Sequence, residues 1–420
     1  MTARSEWPDS PAGGTLGDAR FALATLRPPQ VEALCQTVRE HVALGHAIYP
    51  QGGKTSLDYG RAPARPGVAI DTTPISRLID YPFADMTITV EAGMTLSALR
   101  QVLAEHDQRV LVDAPFPDRA TLGGIYATST TGPRRYAAGR PRDQLIGVSF
   151  VTSGGVVVKG GGRVVKNVAG YDFPKLLTGS LGTLGIITQM TLKVRPIPEA
   201  SAIVWVPFWN MKTLVGTLDD LNTSGTRPIA LELLNSAGAR AVGHGLGLPT
   251  GQGILAIGYE DSAGSVRWQL DRLRSELKRN DFAVVEGIEA EPLWKALTEF
   301  QAMHPGPVSF VANLRPSSVM SFMERLDPEG WSVQAHAGNG IVRAHALGDW
   351  SLEKAAQQID KHRGLATQDG GNLILSRCPT DWKDRLRVWG EPRGDWPIGE
   401  RVRAALDPHA AMNPGRFVGS

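Results

Sequence analysis

Cysteine is nearly absent: Cys35 and Cys378 are the only two in 420 residues, far apart and outside any C-x-x-C pattern. A disulfide scaffold, a cysteine-rich zinc site and an iron–sulfur cluster therefore all lack ligands, and any one-electron wire must come from another protein. Long apolar runs are missing too. No stretch approaches the roughly 20 apolar residues that cross a bilayer. The opening residues, Met1 to Arg20, carry Glu6, Asp9 and Asp18 with no apolar segment behind a basic start, so they read as a loose arm of a cytoplasmic protein. Excess charge is absent as well. Lys and Arg number 44 against 42 Asp and Glu, a formal net charge of +2, which points to neither nucleic acid nor an acidic membrane surface. No G-x-G-x-x-G occurs, so a Rossmann dinucleotide site has no support.

What is present is a globular composition, 42% apolar and 20% charged, in a chain long enough for two or three domains of roughly 100–200 residues. Pro28-Pro29 followed by Val31, Leu34, Val38 and Val42 before Gly45 predicts a helix. Short strands follow at His46 to Tyr49 and Val68 to Asp71, and the alternation of Thr87 to Glu91 predicts a half-buried strand. Met94 to Glu105 carries Leu96, Leu99, Val102 and Leu103 at helical spacing. Ile146 to Val151 and Val156 to Lys159 flank Gly154-Gly155 as a hairpin, and Leu184 to Val194 is a further strand. Pro196 and Pro198 then interrupt both helix and strand, which places a boundary there. Beyond it, strands at Ala202 to Val206, Ile229 to Leu234, Ile254 to Tyr259, Val308 to Val311 and Trp331 to Ala335 alternate with helices such as Val266 to Lys278. That order suits an α+β domain with an antiparallel sheet, in which a β-α-β-like unit occurs twice. The expected division is 20–197, 198–395, and a C-terminal segment 396–420 that returns to the first domain.

Two segments carry chemistry. Tyr49 to Ser56 runs from a strand end through Gln51, Gly52, Gly53, Lys54, Thr55 and Ser56. Its amides form either a nest for an anion or a plain surface turn. A P-loop is excluded because its first glycine would stand at Ile48. Asp118 to Gly132 is dense in Gly, Ala, Ser and Thr around Leu122, Ile125 and Tyr126, which favours a bed for a planar ligand over a linker. The cluster Arg134, Arg135, Arg140 and Arg142 has only Tyr136 beside it as an aromatic, so it reads as a solvated loop near that ligand.

Taken in order, Pro50 to Ser56, Thr121-Leu122-Gly123-Gly124, Lys166 to Asp172, Gly179 to Thr188 and Asn413-Pro414-Gly415 resemble the FAD-linked oxidases of the vanillyl-alcohol oxidase and p-cresol methylhydroxylase type. The match spans nearly the whole chain, and within the superfamily it is nearest to the FAD-binding subunits of glycolate oxidase. The resemblance implies an α+β fold: a two-subdomain FAD domain followed by an antiparallel cap over the flavin ring. It implies that Gln51 to Ser56 wrap the diphosphate. Thr121, Gly123, Gly124, Thr128 and Thr131 would run along the flavin and phosphates, and Gly185, Ile186 and Ile187 would touch the adenine end. No His lies between Gly52 and Gly67, so FAD is expected to be non-covalent. Relatives acting on 2-hydroxy acids carry a segment like G-H-x-G-D-G-N-L-H that helps bind a metal and the substrate. Here Ala335 to Arg343 keeps His336 but has Asn339, Ile341 and Arg343 at the Asp, Asn and second His. No metal site is therefore expected. His336 is the candidate base, with a packed interface histidine as its alternative, and Arg343 or Arg315 is the candidate carboxylate anchor. Leu181 stands where relatives often have Glu. The implied activity is oxidation of glycolate or a D-lactate-like 2-hydroxy acid. The implied partners are a larger catalytic FAD-binding subunit and an iron–sulfur subunit, with membrane contact only peripherally through the complex. A flavin-carrying relay without its own turnover is the alternative.

Overall fold

A computed structural model describes residues 7–8, 10–162 and 170–418; the 166–169 part of the Lys166 to Asp172 motif lies outside them. The opening segment is not a loose arm from Ser10 onward. Thr15–Gly17 pairs antiparallel with Arg20–Phe21, and Leu16 and Ala22 are buried against Tyr49 and Ala69. Apolar side chains that find a pocket outweigh the freedom of a polar tail.

Besides two short two-stranded pairs, Thr15–Gly17 with Arg20–Phe21 and Gln108–Arg109 with Arg195–Pro196, the first half holds two larger sheets. Strands β1 (Thr25–Leu26), β2 (Ala47–Gln51) and β3 (Gly67–Asp71) form a parallel sheet in the order β1-β3-β2, with helix α1 (Val31–Ala43) between β1 and β2. Helix α1 buries Leu34, Cys35 and Val38, one face of its turns, against Ile48, Val68 and Ile70. Strands β4 (Leu78–Asp80), β5 (Thr87–Glu91), β6 (Leu145–Val151), β7 (Val157–Gly161) and β8 (Ile186–Lys193) form an antiparallel sheet, order β7-β6-β8-β5-β4. Between β5 and β6 lie helices α2 (Leu96–Ala104) and α3 (Leu122–Thr128), capped by the Thr95 and Thr121 hydroxyls. Strand β5 is buried on both faces rather than one. Its polar face is tolerated because it is paired: Thr89 Oγ1 lies 3.0 Å from Thr191 Oγ1, and Glu91 accepts from the Arg77 amide at 2.7 Å and its guanidinium at 2.8 Å.

The second half is one eight-stranded, wholly antiparallel sheet built from two β-α-β-β-α-β units. The first unit runs β9 (Ala200–Phe208), α4 (Met211–Thr223), β10 (Ala230–Asn235), α5 (Ser236–Val242), β11 (Gly253–Asp261), α6 (Ala263–Leu277) and β12 (Ala283–Glu286). After α7 (Glu291–Glu299), the second runs β13 (Ser309–Asn313), α8 (Val319–Met323), β14 (Trp331–His336), β15 (Ile341–Ala346), α9 (Leu352–Gln368) and β16 (Asn372–Arg377). The order is β12-β9-β11-β10-β14-β15-β13-β16, so the units join edge to edge through β10 and β14. Helices α4, α6, α8 and α9 cover one face through Val204, Ile257, Phe310, Trp331, Val342 and Leu375. On the opposite face α5 and α7 cover the first unit around Trp205 and Trp294. The corresponding face of the second unit, Val311, Asn313, Ile341, Arg343 and Ile374, looks instead onto the first half of the chain.

The chain then returns. Lys383 Nζ donates to Asp58 O and Gly60 O, both at 2.7 Å, and meets Asp18 at 2.5 Å. After α10 (Trp396–Leu406), Met412 bridges Ile48, and Arg416 bonds Asp18, Leu16 O and Arg61 O.

Candidate cofactor and substrate cleft

Between the cap face of β13, β15 and β16 and the loops of the first half lies a cleft of about 710 Å³, within the usual size of ligand pockets. Gln51 to Ser56, Thr121, Gly123, Gly124, Thr128, Thr131 and Gly185 to Ile187 all line it, as does Arg343. These residues come from four separated parts of the chain.

The phosphate end is shaped by close approach of loops. A Cβ on Gly53 would sit 1.6 Å from Arg119 O, and one on Gly52 would sit 2.0 Å from Thr121 Oγ1. These glycines therefore serve loop-on-loop packing, and the packing leaves the main chain of the turn turned to the cleft. Lys54 adopts a left-handed φ of 58°, and among the described residues the amides of Gly53, Lys54, Thr55 and Ser56 find no protein acceptor. Successive free amides around a left-handed residue form an anion nest. By contrast, the amides of Gly123 and Gly124 are spent on Ala92 O at 2.7 Å and Thr121 Oγ1 at 3.3 Å, which fix the start of α3. Gln51 donates to Thr15 O at 2.7 Å while its Oε1 is buried and unpartnered. Ser180 Oγ is likewise buried without a partner. Asn413 Nδ2 donates to Leu181 O at 2.6 Å and so ties the returning segment to the turn before Gly185. Free amides around a cleft of this size fit a dinucleotide diphosphate, and the residues present therefore fit FAD.

The cap end is cationic. Arg343 Nη2 donates to Thr131 O at 3.3 Å, and its Nε is buried without a partner. Burial lowers its pKa, and no carboxylate pairs with it among the described residues. Tyr59 lines the same region, its phenol raised by burial and drawn back down by Arg343. His304 lines the cleft from the cap side. Burial, and then the nearby Arg377, lower it to about 4, so it is neutral at pH 7. Gln301 Nε2 donates to Thr131 O at 3.0 Å and pins the cap to the flavin-bed segment. Tyr59, Gln301 and His304 carry no motif in the sequence, although Tyr59 follows Ser56 by three residues, whereas Arg135 belongs to the arginine cluster read there as a solvated loop near the ligand.

Other candidates sit elsewhere. His336 does not line the cleft: it is 3% exposed, and its Nδ1 lies 2.6 Å from Glu232 Oε1 on the neighbouring strand. Glu232 also accepts from Gln334 at 2.6 Å. The register Glu232↔His336 on β10 and β14 creates this pair, turning the imidazole to the carboxylate behind the cleft wall. Arg315 is exposed and outside the cleft. The arginine cluster is not a uniformly solvated loop. Arg134 is held by Asp113 at 3.0 Å and Glu260 at 2.7 Å over the Trp294 ring, whereas Arg135 lines the cleft. No group of three or more metal-ligating side chains occurs among the described residues.

Known proteins share this arrangement. The family described as FAD binding domain matches residues 22–161. The chain is 33% identical over 421 residues to the D-2-hydroxyglutarate dehydrogenase of Xanthomonas citri pv. viticola, covering 94% of this chain and 89% of the relative. It is 28% identical over 398 residues to glycolate oxidase subunit GlcD of Bacillus subtilis, covering 88% and 83%. To glycolate oxidase subunit GlcE of Escherichia coli it is 32% identical over 171 residues, covering 40% and 48%. Among solved structures, an alkyldihydroxyacetonephosphate synthase matches with a TM-score of 0.63 at 17% identity, over 94% of this chain and 77% of that one, a likeness of fold. With similarity running almost end to end in both chains, this protein belongs to the FAD-linked oxidases of the p-cresol methylhydroxylase type and is an oxidoreductase whose cofactor is FAD.

Proposed function

We propose that the chain oxidises a small 2-hydroxy acid, glycolate or a D-lactate-like acid, to the 2-oxo acid on non-covalent FAD. The observation that carries this reading is Arg343, a cleft-lining guanidinium with no carboxylate of its own. A two-pronged bond from it to the substrate carboxylate sets the hydroxyl-bearing carbon toward the flavin bed at Thr128 to Thr131. Tyr59 adds a donor beside Arg343. His304 is neutral and faces the cleft, so it takes the hydroxyl proton. When bound, FAD supplies the acceptor for the hydride that leaves the same carbon.

The chain works in this reading as one subunit of a glycolate oxidase-type complex. A larger catalytic FAD-binding subunit accompanies it, and an iron–sulfur subunit takes the electrons. Similarity to proteins named as glycolate oxidase subunits supports it, as do two buried cysteines that cannot form a cluster. The complex sits in the cytoplasm, peripheral at the inner membrane; no helix of the described residues is long and apolar enough to cross a membrane. A second reading, a flavin relay without turnover, draws on His336 facing Glu232 rather than the cleft. Anaerobic addition of glycolate or D-lactate to the FAD-loaded chain decides between them. Bleaching of the flavin absorbance by the chain alone supports turnover, and bleaching only with the larger subunit present supports the relay.

A further inference from the structure

Charge at the cap end of the cleft is out of balance. Arg135, Arg343 and Arg377 all line it, while among the described residues Asp58 is the only acidic one in the lining and already accepts the Asp18 amide at 2.8 Å. Of the other lining cations, Arg416 is paired with Asp18, and Lys54 belongs to the diphosphate turn at the far end. Arg135 and Arg343 approach a single residue from opposite halves of the molecule. Arg135 Nη1 lies 3.4 Å from Thr131 Oγ1, and Arg343 Nη2 lies 3.3 Å from Thr131 O. Neither appears in an ion pair among the described residues, although Arg134, one position earlier, has two carboxylates. Burial, and then the charges of Arg140 and Arg343, lower Arg135 to about 10. Two guanidinium groups that meet at one residue of the cleft lining, neither in ion-pair contact with a carboxylate among the described residues, are a cost in the free protein that a bound dianion removes. A monocarboxylate satisfies one of them and leaves the other.

We propose that the preferred substrate is a short 2-hydroxy dicarboxylate, its carboxylate next to the hydroxyl carbon on Arg343 and its distal carboxylate on Arg135. This rests on the reading above that the cleft oxidises 2-hydroxy acids. It narrows the substrate class and makes Arg135 the specificity residue.

The test is an anaerobic titration of the full FAD-loaded chain, followed by flavin absorbance, with tartronate, D-malate and D-2-hydroxyglutarate against glycolate and D-lactate. At least one diacid should half-saturate the response at a concentration about tenfold or more below either monoacid, the worth of one charge-assisted contact. Arg135→Gln should erase that preference by weakening the diacids alone, and Arg135→Lys should restore part of it. Flavin content and the thermal midpoint of both variants check that they are folded. The proposal is overturned if the monoacids saturate as low as every diacid, or if Arg135→Gln keeps the preference. It is also overturned if Arg135→Gln moves only the flavin reduction potential, which would assign the charge to the cofactor. If no hydroxy acid of either class perturbs the flavin, the oxidation reading falls first and takes this inference with it.

Discussion

Arg134 and Arg135 are neighbours with one chemistry and opposite surroundings, and the difference is decided by what each meets across the cap interface. Arg134 meets Glu260 and Asp113; Arg135 meets the cleft. Arg343 is the more exposed to test. Arg343→Met should raise KM for the acid by roughly 10- to 100-fold, the loss of about 1.5–3 kcal/mol from hydrogen bonds to a charged group, with FAD content unchanged by absorbance. His336→Leu asks a different question. It leaves Glu232, which is 0% exposed, without its imidazole partner, and losing a hydrogen bond to a buried charged group costs about 1.5–3 kcal/mol. The thermal midpoint should drop sharply while kcat of the folded fraction changes little; a collapse of kcat at unaltered stability would return His336 to the chemistry. His345 gives the pH dependence. Burial lowers its pKa from 6.5 to about 3, its ring held between Ser309 Oγ and Phe300 O, both at 2.8 Å. The unfolded chain takes up this proton near pH 6.5 and the native state does not until about pH 3. Its contribution to stability is therefore intact above pH 6.5 and is lost progressively as pH falls through that window. Urea midpoints should decline on acidification, and His345→Gln should flatten the decline.

At the scale of elements, the diphosphate turn depends on glycine for packing, so Gly53→Ala should cost FAD retention. Its Cβ would be driven into the Arg119 carbonyl, and the ratio of flavin to protein absorbance after gel filtration should fall severalfold. The turn was legible in sequence because Gln51 to Ser56 is contiguous, and α1 and α2 were legible because Leu34, Val38, Leu99 and Leu103 recur at helical spacing. Three cap strands were not. On β15 the residues alternating with Val342, Ala344 and Ala346 are Ile341, Arg343 and His345, because that face looks onto a polar cleft rather than a core. Strand β12 is only four residues long, and β16 limits its apolar run to Leu373, Ile374 and Leu375 between polar ends. The reactive end was the least legible part. Tyr59, Arg135, His304 and Arg377 gather only once the cap has folded over the first half, and no local spacing encodes that meeting.

For the whole molecule, the two halves are held by a buried clamp. Glu260 on β11 accepts from Arg134 at 2.9 and 2.7 Å and is also paired with Arg109, while the Arg134 guanidinium lies 4.1 Å from the centre of the Trp294 ring. Glu260→Gln leaves two partly buried cations short of their shared carboxylate. The expected result is a loss of about 3 kcal/mol and faster hydrogen exchange across residues 109–113 and 131–135, with the helix-covered face of the cap unaffected. Arg416 and Lys383 converge on Asp18 across separations of hundreds of residues, and Asn413 braces the turn that carries Leu181. A nascent chain on the ribosome can pair the strands of the parallel sheet early, yet it lacks one flank of the Gln51 to Ser56 turn until residues 412–416 have emerged. Flavin retention should in consequence depend on residues 412–416, and a chain cut before Met412 should purify with less yellow colour than the intact chain even where it folds.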